Sequence, residues 1–149
     1  MADPKALYQE VILDHNRSPR NFGELPGANL AADGHNPLCG DRLHLMLRDV
    51  DGRIEAAGFT GDGCAISRAS ASLMIEAIRG KSEEQARALF GAFLALLTSE
   101  DPSASPVPLG KLAAFEGVRR FPVRVKCAML AWRTLEAALL RERQAASTE

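Results

Sequence analysis

Hydrophobic and polar residues follow two different periods along this chain of 149 residues. A period of two begins after Asp41, where every second residue is a leucine (Leu43, Leu45 and Leu47). This alternation is typical of a strand with one buried face. The pair Asp51-Gly52 then favours a tight hairpin turn, and the range from Ile54 to Thr60 predicts the returning strand. We therefore predict an antiparallel hairpin.

A helical period of apolar residues marks most of the remaining chain. Several local signals agree with it: Gly80 can end a helix, Ser82 and Gln85 form a capping box, and Pro122 suits the first turn of the last helix. We predict helices at about 3–15, 65–79, 82–97 and from 122 onwards, and a short helix at about 109–115. The segments 24–35 and 99–108 are predicted as surface loops, and about 143–149 as a frayed tail. The pattern indicates a single α+β domain over 1–149, in which helices pack against a small antiparallel sheet.

Composition narrows the function. The chain is 46% hydrophobic, and its 18 basic and 19 acidic residues leave a net charge of -1. This balance argues against a nucleic-acid binder that relies on bulk positive charge. No apolar run is long enough for a membrane span, and the first residues do not resemble a signal peptide. We therefore expect a cytoplasmic protein that binds neither nucleic acid nor membrane.

The cysteine count points to chemistry at thiols. Three cysteines, Cys39, Cys64 and Cys127, are an odd number, and disulfides are rare in the cytoplasm. Metal binding or catalysis is then one interpretation. The other is that all three are small buried apolar residues, since free cysteine is often buried.

The predicted hairpin favours the first interpretation. Cys39 and Asp41 stand where its first strand begins, and Cys64 stands just beyond the end of its second strand. In an antiparallel hairpin these two ends are neighbours, so we expect the three side chains to lie close together. Cys64 also falls at a helix N-terminus, where free N–H groups stabilise a thiolate. Cys127 falls in the first turns of the last helix, near Arg124 and Lys126, whose charges are either thiolate partners or solvated surface groups.

Three thiols with one carboxylate suit zinc, because soft thiolate ligands are unsuited to hard cations. The sequence has no C-x-x-C pair, so it is not a zinc-finger pattern. The histidines are rival ligands. We expect His44 to face solvent from its strand, and His15 and His35 to be solvated in or beside exposed segments.

At these residues the chain resembles the U-type iron–sulfur assembly family (IscU, SufU and the NifU N-terminal domain). The resemblance spans nearly the whole chain, with several motifs in the family's order. They are Tyr8, D-H-N-R-S-P-R-N-F-G at 14–23, N-P-L-C-G-D at 36–41, G-D-G-C-A-I-S at 61–67 with A-S-A-S at 69–72, and R-V-K-C-A-M-L-A-W at 124–132. This resemblance implies a SufE/NifU-like fold.

Three features make the chain similar to the SufU type rather than to the scaffold type. Scaffold members carry a histidine before the third cysteine, whereas this chain has Lys126, which cannot ligate a metal when protonated. The chain also lacks the Leu-Pro-Pro-Val-Lys chaperone motif of scaffold members, because residues 121–125 are Phe-Pro-Val-Arg-Val. An extra segment, which we place in 99–117, separates Cys64 from Cys127. The SufU type implies a zinc-bound sulfurtransferase that takes persulfide sulfur from a SufS-type cysteine desulfurase.

The resemblance also implies roles for individual residues. It assigns zinc to Cys39, Asp41, Cys64 and Cys127. It makes Cys39 the sulfur acceptor, with a histidine of the partner replacing it on zinc, and it gives Arg124 a part in engaging the desulfurase. A downstream assembly scaffold would receive the sulfur. Two alternatives remain open: a scaffold on which a [2Fe–2S] cluster is built, and a non-catalytic adaptor with structural zinc.

Overall fold

The computed structural model describes residues 4–19, 21–99, 107–141 and 146–148. Within these ranges the chain forms α-helices, one 3₁₀ helix and strands of a single sheet. The helices are α1 (Pro4–Arg17), α2 (Ala65–Ile78), α3 (Glu83–Thr98), the 3₁₀ helix (Gly110–Val118) and α4 (Pro122–Leu139). The strands are β1 (Leu30–Asn36), β2 (Asp41–Val50), β3 (Arg53–Asp62) and β4 (Ala146–Ser147).

The sheet has the strand order β3-β2-β1-β4. Strands β1, β2 and β3 are antiparallel, and the short β4 runs parallel to β1. Asp51 and Gly52 connect β2 to β3 with positive φ angles of 52° and 80°. This backbone twist matches that of the two strands, which explains why the Asp-Gly pair specifies the hairpin. The predicted hairpin and the α+β class are confirmed.

The strand β1 corrects one expectation, because a loop was predicted from residue 24 to residue 35. Its alanine and glycine residues indicated a loop by composition, yet they serve close packing. Ala32 is buried, and a Cβ at Gly34 would collide with the Thr134 hydroxyl on α4. The small side chains of β1 therefore let α4 approach the sheet closely.

Other segments pair with the outer edge of β3 and with the side of β1 that faces away from β2. On the β3 side, Gly23 N–H donates to the Phe59 carbonyl at 2.8 Å and Phe59 N–H donates to the Asn21 carbonyl at 3.1 Å. On the other side, β4 pairs with Gly34 and His35 of β1. Residues 146 and 147 are thus paired with the sheet, which corrects the expectation of a frayed tail there; residues 142–145 and 149 lie outside the described part.

The helix ends follow the predicted signals. Ser82 and Gln85 form the capping box, with Gln85 N–H donating to Ser82 Oγ at 3.0 Å and Ser82 N–H to Gln85 Oε1 at 2.9 Å. Gly80 follows α2 with a φ of +82°, and Pro122 stands in the first turn of α4. The predicted short helix is present as the 3₁₀ helix. Most of the predicted 99–108 loop lies outside the described residues.

The core lies between the inner face of the sheet and the helices α2 and α4. Leu45, Leu47 and Phe59 supply the sheet side and are almost fully buried. The ring of Trp132 on α4 stacks on Phe93 of α3, with centroids 4.9 Å apart. The buried α4 is thereby fixed in position, and its first turns hold Cys127 at one end of the sheet. No helix in the described part of the chain has the length and apolar content needed to cross a membrane.

Candidate metal centre

Cys39 lies in a tight turn between β1 and β2. The carbonyl of Asn36 accepts hydrogen bonds from Cys39 N–H at 3.3 Å and from Gly40 N–H at 2.8 Å. Gly40 has a φ of +72°, a conformation that favours glycine. The turn leaves Cys39 exposed, while Asp41, the first residue of β2, is only 2% exposed.

Cys64 follows the end of β3 and occupies the N-cap position of α2, where its side chain makes no capping hydrogen bond. Gly61 has a φ of +135°, and a Cβ there would collide with the backbone carbonyl of Arg42. This close approach of β3 to β2 brings Cys64 beside Asp41. The backbone N–H of Cys64 donates to Asp41 Oδ1 at 2.9 Å, and Cys64 Sγ lies 3.9 Å from Asp41 Oδ2.

Cys127 lies in the second turn of α4 and is fully buried. Its Sγ is 3.3 Å from Cys39 Sγ. The Asn36 side chain reaches the same place, since Asn36 Nδ2 lies 3.4 Å from Cys127 Sγ and 3.4 Å from Asp41 Oδ2. The third sulfur therefore enters the site from a helix that is far away in sequence.

These contacts define a group with the dimensions of a metal site. Ligand atoms of Cys39, Asp41 and Cys127 all lie within 4.8 Å of one another. Cys64 stands outside that tightest set, although its sulfur is next to Asp41. Ligands around a tetrahedral zinc, at its usual bond lengths, lie about 3.3–3.8 Å apart. The thiol and carboxyl groups of Cys39, Asp41 and Cys127 thus fit zinc, and Cys64, with its Sγ 3.9 Å from Asp41 Oδ2, is the candidate for a fourth ligand.

The surroundings of Cys127 favour its protonated thiol. Burial raises the pKa of the Cys127 thiol, and the neighbouring Cys39, Cys64 and Asp41 raise it further. A thiolate at Cys127 would be buried next to the thiols of Cys39 and Cys64 and the carboxyl group of Asp41, which disfavour a negative charge there. A bound cation reverses this balance, because metal binding displaces the ligand protons.

Among the residues that the structure describes, no histidine belongs to the candidate metal-binding group. His44 is partly exposed and pairs with Asp33, with Nδ1 and Oδ1 2.8 Å apart. His35 is half-buried. His15 was expected to be solvated, and this was wrong: it is 1% exposed, with Nδ1 2.7 Å from Ser72 Oγ. Helix α1 packs against α2, and His15 lies on that side of α1.

Two basic residues lie at the start of α4, before Cys127. Arg124 is exposed and Lys126 is half-buried. Both charges lie in the first turns of α4, and the role of Arg124 in engaging a partner stays a prediction.

The sequence analysis missed Asn36 as a contact of the site. Its signal was available, since Asn36 opens the N-P-L-C-G-D stretch, of which only Cys39 and Asp41 were given roles.

Fold and site together define a class: a small α+β protein that gathers cysteine thiols and an aspartate at one end of its sheet. The comparison with protein families identifies it further. Residues 7–146 match the model of the NifU-like N-terminal domain, so the chain belongs to that family. The resemblance to U-type iron–sulfur assembly proteins is confirmed.

Individual relatives support the same family. The chain is 42% identical over 142 residues to the zinc-dependent sulfurtransferase SufU of Bacillus subtilis, covering 95% of each protein. It is 39% identical to the iron–sulfur cluster assembly scaffold protein IscU of Streptococcus pyogenes, covering 93% of this chain and 86% of that protein. A crystal structure of a proposed SUF-system assembly scaffold protein from Fervidobacterium islandicum matches with a TM-score of 0.78 and 32% identity, covering 89% of this chain and 96% of that one. The SufE/NifU-like fold is thus confirmed.

Proposed function

We propose that this protein is a zinc-dependent sulfurtransferase that accepts persulfide sulfur from a SufS-type cysteine desulfurase for iron–sulfur cluster assembly. One observation carries the proposal: the clustered sulfurs differ in accessibility. Cys39 is exposed, Cys64 is intermediate and Cys127 is fully buried. Such a group can hold a metal and still offer one sulfur to a partner. The similarity to a zinc-dependent sulfurtransferase over 95% of the chain supports the same reading.

Zinc would be held by Cys39, Asp41, Cys64 and Cys127. Bound there, it would keep the thiols deprotonated at neutral pH without redox chemistry of its own. Three thiolates and a carboxylate carry more negative charge than a divalent cation neutralises. The net negative charge that remains favours cations nearby, and Arg124 and Lys126 lie at the start of the helix that carries Cys127.

Cys39 is the residue that we assign to sulfur transfer. Its thiolate attacks the outer sulfur of the desulfurase persulfide, and a new S–S bond forms on Cys39. The S–S bond to the desulfurase cysteine breaks, and that cysteine leaves as a thiolate. This is an exchange between a thiolate and a disulfide-type bond, so it needs no external oxidant or reductant. Cys39 then carries the persulfide to a downstream assembly scaffold.

The surface around Cys39 suits a docking partner. Leu38 is 61% exposed beside Cys39, and Phe121 and Val123 at the start of α4 are 58% and 47% exposed. The contact of 3.3 Å between the sulfurs of Cys39 and Cys127 places both segments at one end of the molecule. Exposed apolar side chains of this kind mark interaction surfaces. Arg124 in the same segment would add a charged contact to the desulfurase.

The second candidate function is a scaffold for a [2Fe–2S] cluster. Thiolates hold iron as well as zinc, and several relatives are named assembly scaffolds. Lys126 argues against it, because a protonated lysine supplies no ligand at the position where scaffold members carry histidine. Metal analysis and colour separate the two: a zinc protein is colourless, whereas a cluster protein is brown.

A desulfurase assay tests the proposal. The protein is isolated with its native metal, and desulfurase turnover is measured with the native chain and with Cys39→Ser. We expect zinc in the native protein, a rise in desulfurase turnover, and the added mass of sulfur on Cys39. The Cys39→Ser variant should stay folded, leave desulfurase turnover unchanged and accept no sulfur. Normal sulfur transfer by Cys39→Ser would remove Cys39 from the mechanism. A zinc-loaded native chain that neither raises turnover nor accepts sulfur would instead be a structural-zinc adaptor.

A further inference from the structure

Asn36 is a buried amide between two prospective metal ligands. It is the last residue of β1 and is 1% exposed. Its Nδ2 lies 3.4 Å from Asp41 Oδ2 and 3.4 Å from Cys127 Sγ. Its carbonyl accepts the two hydrogen bonds that close the turn of Cys39. One residue thus contacts three of the four segments that build the site.

The chemistry of these neighbours fixes which end of the amide faces them. An ionised carboxylate and a thiolate are both acceptors, so only the NH₂ group of Asn36 can face both favourably. Its two N–H bonds match the two acceptors. Hydrogen bonds to charged acceptors are about twice as strong as neutral ones, and this pair lies in a buried position. Both contacts come from one buried NH₂ group, so they tie the position of the Asp41 carboxyl group to that of the Cys127 sulfur.

We propose that Asn36 is a positioning residue that holds Asp41 and Cys127 in the geometry needed to bind zinc. This inference rests on the proposed function and deepens it. Asp41 is then held at both oxygens, by Cys64 N–H at Oδ1 and by Asn36 at Oδ2. Cys127 is held by Asn36 and by its helix. Cys39 receives from Asn36 only the backbone bonds of its turn, so no side-chain bond from Asn36 restrains its sulfur.

The test replaces Asn36 by leucine, which keeps most of the side-chain volume and removes the donor. Zinc affinity is measured by competition with a chromophoric chelator, and Co²⁺ is substituted to record the thiolate-to-cobalt charge-transfer band. We expect a 10–100-fold loss of zinc affinity, the usual effect of losing a partner of a metal ligand. We also expect the band to move to lower energy, because a thiolate that loses a hydrogen bond becomes easier to oxidise.

A matched control separates positioning from stability. Asn29→Leu also removes the hydrogen bonds of an asparagine amide, since Asn29 Nδ2 donates to the Asp49 carbonyl at 2.6 Å and Asn29 Oδ1 accepts from Asp49 N–H at 2.8 Å, far from the thiols. It should lower the melting temperature and leave zinc affinity and the cobalt band unchanged. If Asn36→Leu does not fold, Asn36→Ser gives the same test, because its side chain is too short to reach Asp41 or Cys127. An unmoved band with zinc affinity within twofold of native, in either variant, overturns the inference.

The outcome also distinguishes this inference from the proposed function. A native chain that binds no zinc contradicts both. A native chain that binds zinc and accepts sulfur, with Asn36 variants that match it in affinity and cobalt band, contradicts only the role of Asn36. Neither readout depends on the activity of the zinc-loaded protein.

Discussion

Gly61 offers the sharpest test of how the fold builds the site. Its φ of +135° is a conformation that only glycine adopts readily, and a Cβ there would collide with the Arg42 carbonyl. Gly61→Ala must push the end of β3 away from β2. Because Asp41 starts β2 and Cys64 follows β3, the same movement separates Asp41 from Cys64.

Gly52 in the hairpin turn provides the matched control. It also has a positive φ, of +80°, but nothing lies within 4 Å of the position that a Cβ would occupy. Gly52→Ala should therefore cost only the conformational penalty of about 1–2 kcal/mol. Gly61→Ala should cost about 1–3 kcal/mol for its conformation and a similar amount for the overlap, about 2–6 kcal/mol together.

The assay is thermal unfolding of both variants, each with zinc and with excess chelator, alongside zinc competition. For a domain of this size about 1 kcal/mol lowers the melting temperature by about 2–4 °C. Gly52→Ala should lose about 2–8 °C and keep the full gain in melting temperature on adding zinc. Gly61→Ala should lose more, and its zinc affinity should fall at least about tenfold. Equal zinc affinity in the two variants would refute the view that this glycine sets the distance between Asp41 and Cys64.

Three further predictions follow from the same geometry. Cys64→Ser should lose zinc and thermal stability together, whereas full zinc occupancy with an unchanged melting temperature would contradict its role as a ligand. Because burial raises the pKa of the Cys127 thiol, the metal-free folded chain keeps this proton at a pH where the unfolded chain releases it. The stability of the metal-free protein should then fall as pH rises above about 8.5, measured by denaturant unfolding, and Cys127→Ala should lack this fall. His15→Ala should lower stability by about 2–4 kcal/mol through a cavity and a lost bond to Ser72, with zinc affinity unchanged; weaker zinc binding would show that α1 influences the metal centre.

Most of the fold could be predicted because local signals agreed with the tertiary structure. The Asp-Gly turn, the capping box of α3 and the proline of α4 act within a few residues, so sequence alone specifies them. Strand β1 was missed for the opposite reason. Ala32 and Gly34 have low intrinsic strand preference, and β1 exists because β2 pairs with it and α4 packs closely on it.

The candidate site was partly predictable for a similar reason. The hairpin alone places Cys39 and Asp41 near Cys64, because antiparallel pairing joins the two strand ends. Cys127 reaches them only through the packing of α4, which no local pattern states, so its position was expected from family resemblance alone. The burial of His15 and the contacts of Asn36 also depend on tertiary packing and could not be deduced from spacing.

The covered edge of β3 limits how this protein can associate. Residues 21 and 23 already occupy the backbone groups of Phe59, and Lys81 accepts from Ile54 N–H at 2.8 Å. Another polypeptide therefore finds few free backbone groups with which to add a strand at this edge, and this protects the protein against edge-to-edge aggregation. A partner protein that binds at this edge must therefore contact side chains, through their shape and charge. Such a complex can form and dissociate without breaking the hydrogen bonds of the sheet.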